Sequence, residues 1–125
     1  MRSIVFEILG NPQSKANSRT MVFRGKKPRS IKSKAALSYV EAFQYQCPKV
    51  GSSHGGLLRG DLSLTLDIWY QSWRSDLDES IIMDAMQGLI YDNDRQIKVK
   101  LVTHKGVDKT NPRCVVKVEE LTDAS

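Results

Sequence analysis

The chain has 125 residues, 40% of them hydrophobic and 26% charged, which suits one globular domain with a single modest core. No apolar run approaches the roughly 20 residues that a membrane span needs. The formal net charge is +5, and a basic surface of that kind either attracts phosphate backbones or serves as a solvated face.

In chain order, residues 3–9 read as a first strand. The early Glu7 and the lack of a small-residue cleavage site argue against a signal peptide. Residues 10–19 form a polar loop, 20–23 a short β-prone run, and 25–29 a basic loop. Ser33 is a candidate N-cap for a helix over 34–46, where Ala36, Leu37, Val40, Phe43 and Cys47 recur at helical spacing. A Gly/Ser loop follows over 48–60. Leu62, Leu64, Leu66, Ile68 and Tyr70 then alternate with more polar residues, the clearest strand in the chain.

Ile81, Ile82, Ala85, Met86 and Leu89 predict a helix over 79–87, stopped by Gly88. Residues 96–103 read as a strand, 105–112 as a loop and 114–121 as a closing strand. The expected fold is one α+β domain over residues 1–125, with a mixed β-sheet covered on one face by two main helices.

Charge is segregated along the chain. Between Glu7 and Glu41 there is no acid, but there are eight bases: Lys15, Arg19, Arg24, Lys26, Lys27, Arg29, Lys32 and Lys34. Between Asp61 and Asp94 there are eight acids against one base, Arg74. The last third is basic again, with Lys105 and Lys109 in its loop. If the partner is a nucleic acid, the expected DNA-contacting set is Lys15, Arg19, Arg24, Lys26, Lys27, Arg29, Lys32 and Arg74, assisted by Lys105 and Lys109.

The acids flank the second helix. Asp76 and Asp78 share a side in an extended segment. The helix is short enough for the chain to bring Asp94 back beside them. Clustered carboxylates suit a hard divalent ion such as Mg²⁺ or Mn²⁺, which polarises water and stabilises an in-line phosphoryl transition state. The same residues also fit a plainer role, in which Asp78 or Ser80 caps the helix and Asp92-Asn93 makes a turn. No EF-hand loop is present, because the sixth-position glycine and distal glutamate are missing. His54 and His104 have no partner at ligand spacing, and neither a Walker loop nor a nucleophile elbow occurs. Cys47 and Cys114 form no metal-type pair and read as free thiols of a reducing cytoplasm.

The segments Arg74-Ser75-Asp76-Leu77-Asp78 and Asp84-Ala85-Met86-Gln87-Gly88-Leu89-Ile90-Tyr91-Asp92-Asn93-Asp94-Arg95-Gln96-Ile97 resemble the signature of the RusA Holliday junction resolvases. Residues 12–19 resemble that family's N-terminal loop, and 103–121 its closing hairpin. The resemblance implies a dimeric, Mg²⁺- or Mn²⁺-dependent endonuclease, often carried by phages. Such an enzyme resolves four-way DNA junctions by paired symmetrical nicks in the bacterial cytoplasm. It implies branched DNA and a second copy as partners, with no membrane and no small-molecule cofactor. Asp76, Asp78 and Asp94 match the metal-binding and catalytic aspartates, Asp94 being chosen over Asp92 because it stands two before Gln96. The chain departs from the family at Ser80, where a helix lysine is expected. Lys15 or Lys98 are candidate replacements. That departure leaves two alternatives: a DNA-structure-binding accessory protein that does not cut, and a nuclease acting on flaps or forks.

Overall fold

The computed structural model describes residues 2–13, 19–24, 27–32, 34–52, 56–73 and 77–121. In chain order they form β1 (Ser3–Leu9), β2 (Arg19–Arg24), β3 (Lys27–Lys32), α1 (Lys34–Gln46), β4 (Leu62–Tyr70), α2 (Ser80–Met86), β5 (Ile97–Val107) and β6 (Arg113–Glu120). Four strands make a mixed sheet in the order β1-β6-β4-β5. β4 runs parallel to β5 and antiparallel to β6. The fold is α+β, as the pattern of elements predicts.

β4 is the central strand because its side chains alternate. Leu62, Leu64, Leu66, Ile68 and Tyr70 are all buried, while Ser63, Thr65, Asp67 and Trp69 are half-buried on the other face. Cys114, Val116 and Val118 of β6 extend the buried face. α1 buries Ala36, Tyr39 and Phe43, and Phe43 meets Phe6 of β1 edge to face at 6.2 Å. α2 buries Ile81, Ile82, Ala85 and Met86. Burying Phe43 contributes about 3–5 kcal/mol by the usual cost of truncating such a ring. Gln46 at the end of α1 also pairs with the edge of the sheet. It accepts from Leu9 N at 2.8 Å and donates to Leu9 O at 2.9 Å.

Three expectations need correction. The basic stretch 25–29 is not simply a loop, because β3 begins at Lys27 and pairs antiparallel with β2 from Arg24↔Lys27 to Arg19↔Lys32. The strands therefore form two sheets, not one. Pro28 and the run of bases conceal β3, since neither is typical of a strand interior. Residues 105–107 also belong to a strand, not to the following loop. β5 continues through a register shift opposite Ile68/Trp69, and irregular pairing of that kind breaks the simple alternation that marks strands. Ser33 lies outside the described residues. Gly88, with φ +83°, stops α2 as expected, in a conformation that side-chain-bearing residues rarely adopt.

Candidate functional site

β4 delivers the chain toward the acidic segment. Arg74 and Asp76 lie outside the described residues. Asp78 is half-buried at the head of α2. Its backbone N–H donates to the Tyr70 hydroxyl at 3.3 Å, and its Oδ1 accepts from Ser80 N at 2.8 Å. The helix-start role is thus present at one of its carboxylate oxygens. Glu79 makes no side-chain cap. It forms an ion pair with Lys100 Nζ at 2.6 Å, which ties the head of α2 to β5.

The return from α2 ends in a short 3₁₀ turn, Asp94–Gln96. Its geometry is held by two amide side chains. Asn93 Oδ1 accepts from Arg95 N at 2.9 Å. Gln96 Oε1 accepts from Asp92 N and Asn93 N, both at 3.0 Å. Gln96 Nε2 donates to Leu58 O at 3.3 Å and Gly60 O at 3.0 Å, fixing the turn to the start of β4. No described group donates a hydrogen bond to the Asp94 carboxylate. Asp94 is half-buried, whereas Asp92 is exposed.

Tyr91 links this turn to α2. The ring is buried, and its hydroxyl donates to Met83 O at 2.7 Å. Burial pushes the phenol well above its ordinary pKa, and the charges of Asp94 and Asp84 push it further. Asp94 and Asp84 therefore both act on the same phenol, which bonds to the backbone of α2. Among the described residues, no three His, Cys, Asp or Glu side chains converge on one cation position, and Asp76 is not among those residues.

The model of the endodeoxyribonuclease RusA family matches residues 10–119. The chain belongs to the RusA endodeoxyribonuclease family. No curated protein matches the chain. Membership in the RusA family supports a nuclease, and the match begins just after β1 and runs into β6, ending one residue before that strand does.

The expected DNA-contacting residues fall into three groups. Arg19, Arg24, Lys27, Arg29 and Lys32 stand on the β2–β3 hairpin, with Arg19 paired to Lys32 and Arg24 to Lys27. Lys15 and Lys26 lie outside the described residues. Lys105 is exposed on β5 and Lys109 in the loop after it. An open cleft of about 650 Å³ beside the Asp94 turn adds Arg59, Arg95 and Lys98 among its lining residues, together with Asp61 and Asp92.

Two features escaped the sequence reading. Lys98 was a candidate to supply the charge missing at Ser80, but it is Lys100 that pairs with Glu79 at the head of α2. The even spacing of Lys98, Lys100 and Val102 along a strand was a usable signal, but the partner lies 21 residues away. Gln96 was noted only as a motif residue; the capping-box spacing Asn93-x-x-Gln96 was a usable local signal, whereas its bonds to Leu58 and Gly60 had none. Both cysteines are free and buried, and burial pushes Cys47 up to about 12 and Cys114 up to about 11. Thiols in that state are poor nucleophiles.

Proposed function

We propose that this protein is a Mg²⁺- or Mn²⁺-dependent endonuclease that resolves four-way DNA junctions by paired symmetrical nicks. The observation that carries the reading is the RusA-family match over residues 10–119, which includes the whole Asp76–Gln96 segment. Asp76, Asp78 and Asp94 are the residues that would hold the ion. Their chemistry fits it: all are hard oxygen donors, and Asp94 accepts no hydrogen bond from any described group. A divalent ion held there supplies a water of lowered pKa and counter-charge for an in-line displacement at phosphorus.

The chain's own groups prepare the site. Gln96 and Asn93 set the Asp94 turn, and Tyr70 and Ser80 orient Asp78. Lys100 brings a cation to the end of α2 where Ser80 replaces the family's lysine. The β2–β3 hairpin and Lys105 would contact the phosphate backbone.

The proposed working unit is a homodimer, because symmetrical nicking needs two sites related by a two-fold axis. The sheet face away from the helices offers apolar surface for it, with Val5 and Leu101 each 60% exposed. A monomer at micromolar concentration by sedimentation, still fully active, would sink this part. The location proposed is the bacterial cytoplasm; among the described residues no helix is long and apolar enough to cross a membrane.

One assay tests the reading: a labelled four-way junction, a matched linear duplex and a flap, each with Mg²⁺, Mn²⁺ or EDTA. The expected result is paired nicks on the junction, none in EDTA and weak cutting of the duplex. Junction binding without cleavage in either metal would make it a binding module. Preferential cutting of the flap would make it a different nuclease.

A further inference from the structure

Trp73 stands just beyond the end of β4, three residues before Asp76, and it is 75% exposed. An indole in a core contributes through burial, and this one is mostly in water. It is not an isolated surface residue. Its ring stacks parallel on His104 of β5, 5.2 Å between centroids and 5° between planes. His104 in turn leans on Tyr70, 5.0 Å away, whose ring is 1% exposed. Three rings thus form a ladder from core to surface. The inner rungs fix the plane of the outermost ring, whose second face has no ring against it among the described residues.

The ladder's base is tied to the acidic segment. The Tyr70 hydroxyl that anchors the inner rung also accepts the Asp78 backbone N–H. A group held against Trp73 would therefore lie in fixed relation to the head of α2. In the sequence Arg74 follows Trp73, and Lys105, which is exposed, follows His104 on β5. A preset flat aromatic face is what an unpaired nucleobase requires for stacking. A paired base inside a duplex shows no free face, so the ladder suits a base that has left the stack.

We propose that Trp73, backed by His104 and Tyr70, is a stacking platform for an unpaired DNA base on the Asp78 side of the site. This rests on the DNA-cleaving reading above and adds the element that selects distorted over regular DNA.

The test uses the full chain in EDTA, with a four-way junction, a linear duplex, single-stranded DNA and an abasic strand of equal charge. A Trp69→Phe background leaves Trp73 as the sole tryptophan. Its emission should be quenched by single strand and junction, weakly by duplex, and not by the abasic strand. Trp73→Ala should weaken junction and single-strand binding by roughly 10- to 100-fold, the range expected of one lost base–aromatic stack. Duplex binding should be unchanged, and Trp73→Phe should restore part of the loss. His104→Ala should give an intermediate loss. Unchanged affinity in Trp73→Ala, or emission that responds equally to the abasic strand, overturns the platform. If the wild-type chain cuts junctions while Trp73→Ala behaves normally, only the platform fails. If the wild-type chain binds neither junction nor single strand, both proposals fail.

Discussion

Two aspartate turns sit at opposite ends of β4, and they use their carboxylates in opposite ways. At the Tyr70 end, Asp108 N donates to Tyr70 O at 2.8 Å. The Asp108 side chain then accepts from Asn111 N, Thr110 N, the Thr110 hydroxyl and Arg113. That carboxylate is the fastener of its own turn. At the Leu62 end, Asn93 and Gln96 do the fastening, and Asp94 receives no hydrogen bond from any described group. A carboxylate that must hold its turn together has few lone pairs for a ligand. One whose turn is held by neighbouring amides keeps its charge and its oxygens available.

The strongest way to break this contrast is to remove the charge at each turn. Asp94→Asn should abolish cleavage, a loss on the order of 1,000-fold for several kcal/mol of transition-state stabilisation. Thermal stability should stay within about 0.5 kcal/mol, since the carboxylate supports no described contact. Asp76→Asn and Asp78→Asn should match it in activity while sparing junction binding. Asp84→Asn and Asp92→Asn should do much less. If single-turnover assays found Asp92→Asn lethal and Asp94→Asn mild, the choice between them would be reversed.

The next effect concerns the fasteners. Gln96→Ala removes two accepted and two donated bonds. At roughly 0.5–1.5 kcal/mol net for each buried bond, and less for exposed ones, the fold should lose about 1–3 kcal/mol. Cleavage should fall as well, because Asp94 loses its fixed position. Gln96→Glu keeps the acceptor oxygens but not the donors, so it should lie between alanine and wild type in both readouts. Denaturant melts with parallel cleavage rates check this, and a Gln96→Ala variant with normal stability would show that the turn is held by something else.

Much of this could be read before the structure, and the reason lies in the residues. β1, α1 and β4 begin and end where the sequence places them, although only in β4 does apolar spacing coincide fully with burial, since Val5, Leu9 and Leu37 are exposed. Leu62 to Tyr70 is the plainest example, alternating without a break. β3 was hidden by Pro28 and its bases, whose pairing with β2 depends on a partner strand and not on local pattern. The last residues of β5 were hidden by a register shift. At the site, the choice of Asp76, Asp78 and Asp94 came from resemblance to a family. The bonds that set Asp78 and Asp94 apart are mixed in range. Ser80 N is local to Asp78, whereas Tyr70 reaches it across eight residues and Gln96 reaches back to Leu58. The exposure of Trp73 was not legible either, because its support is a ring on β5, which no spacing along β4 reveals.

The smallest effect tests the other turn. Hydrogen bonds hold the Asp108 carboxyl below its ordinary pKa, the Asn111 N–H most of all, then Thr110 and Arg113. In the unfolded chain the same group titrates in the normal aspartate range. Between those two values the unfolded state binds more protons, so stability rises with pH there. The contribution of Asp108 is complete above the ordinary value and lost as pH falls toward the depressed native one. Asp108→Asn should therefore flatten the acid limb of the stability–pH curve and leave cleavage at neutral pH unchanged. The flattening is partial, because Glu120 is also held low, chiefly by the Arg59 N–H and then by Arg2, and contributes with the same sign. Urea melts across the acid range give the curve. An acid limb in Asp108→Asn as steep as in wild type would mean that the carboxylate does not fasten its turn, and the contrast between the two ends of β4 would fail.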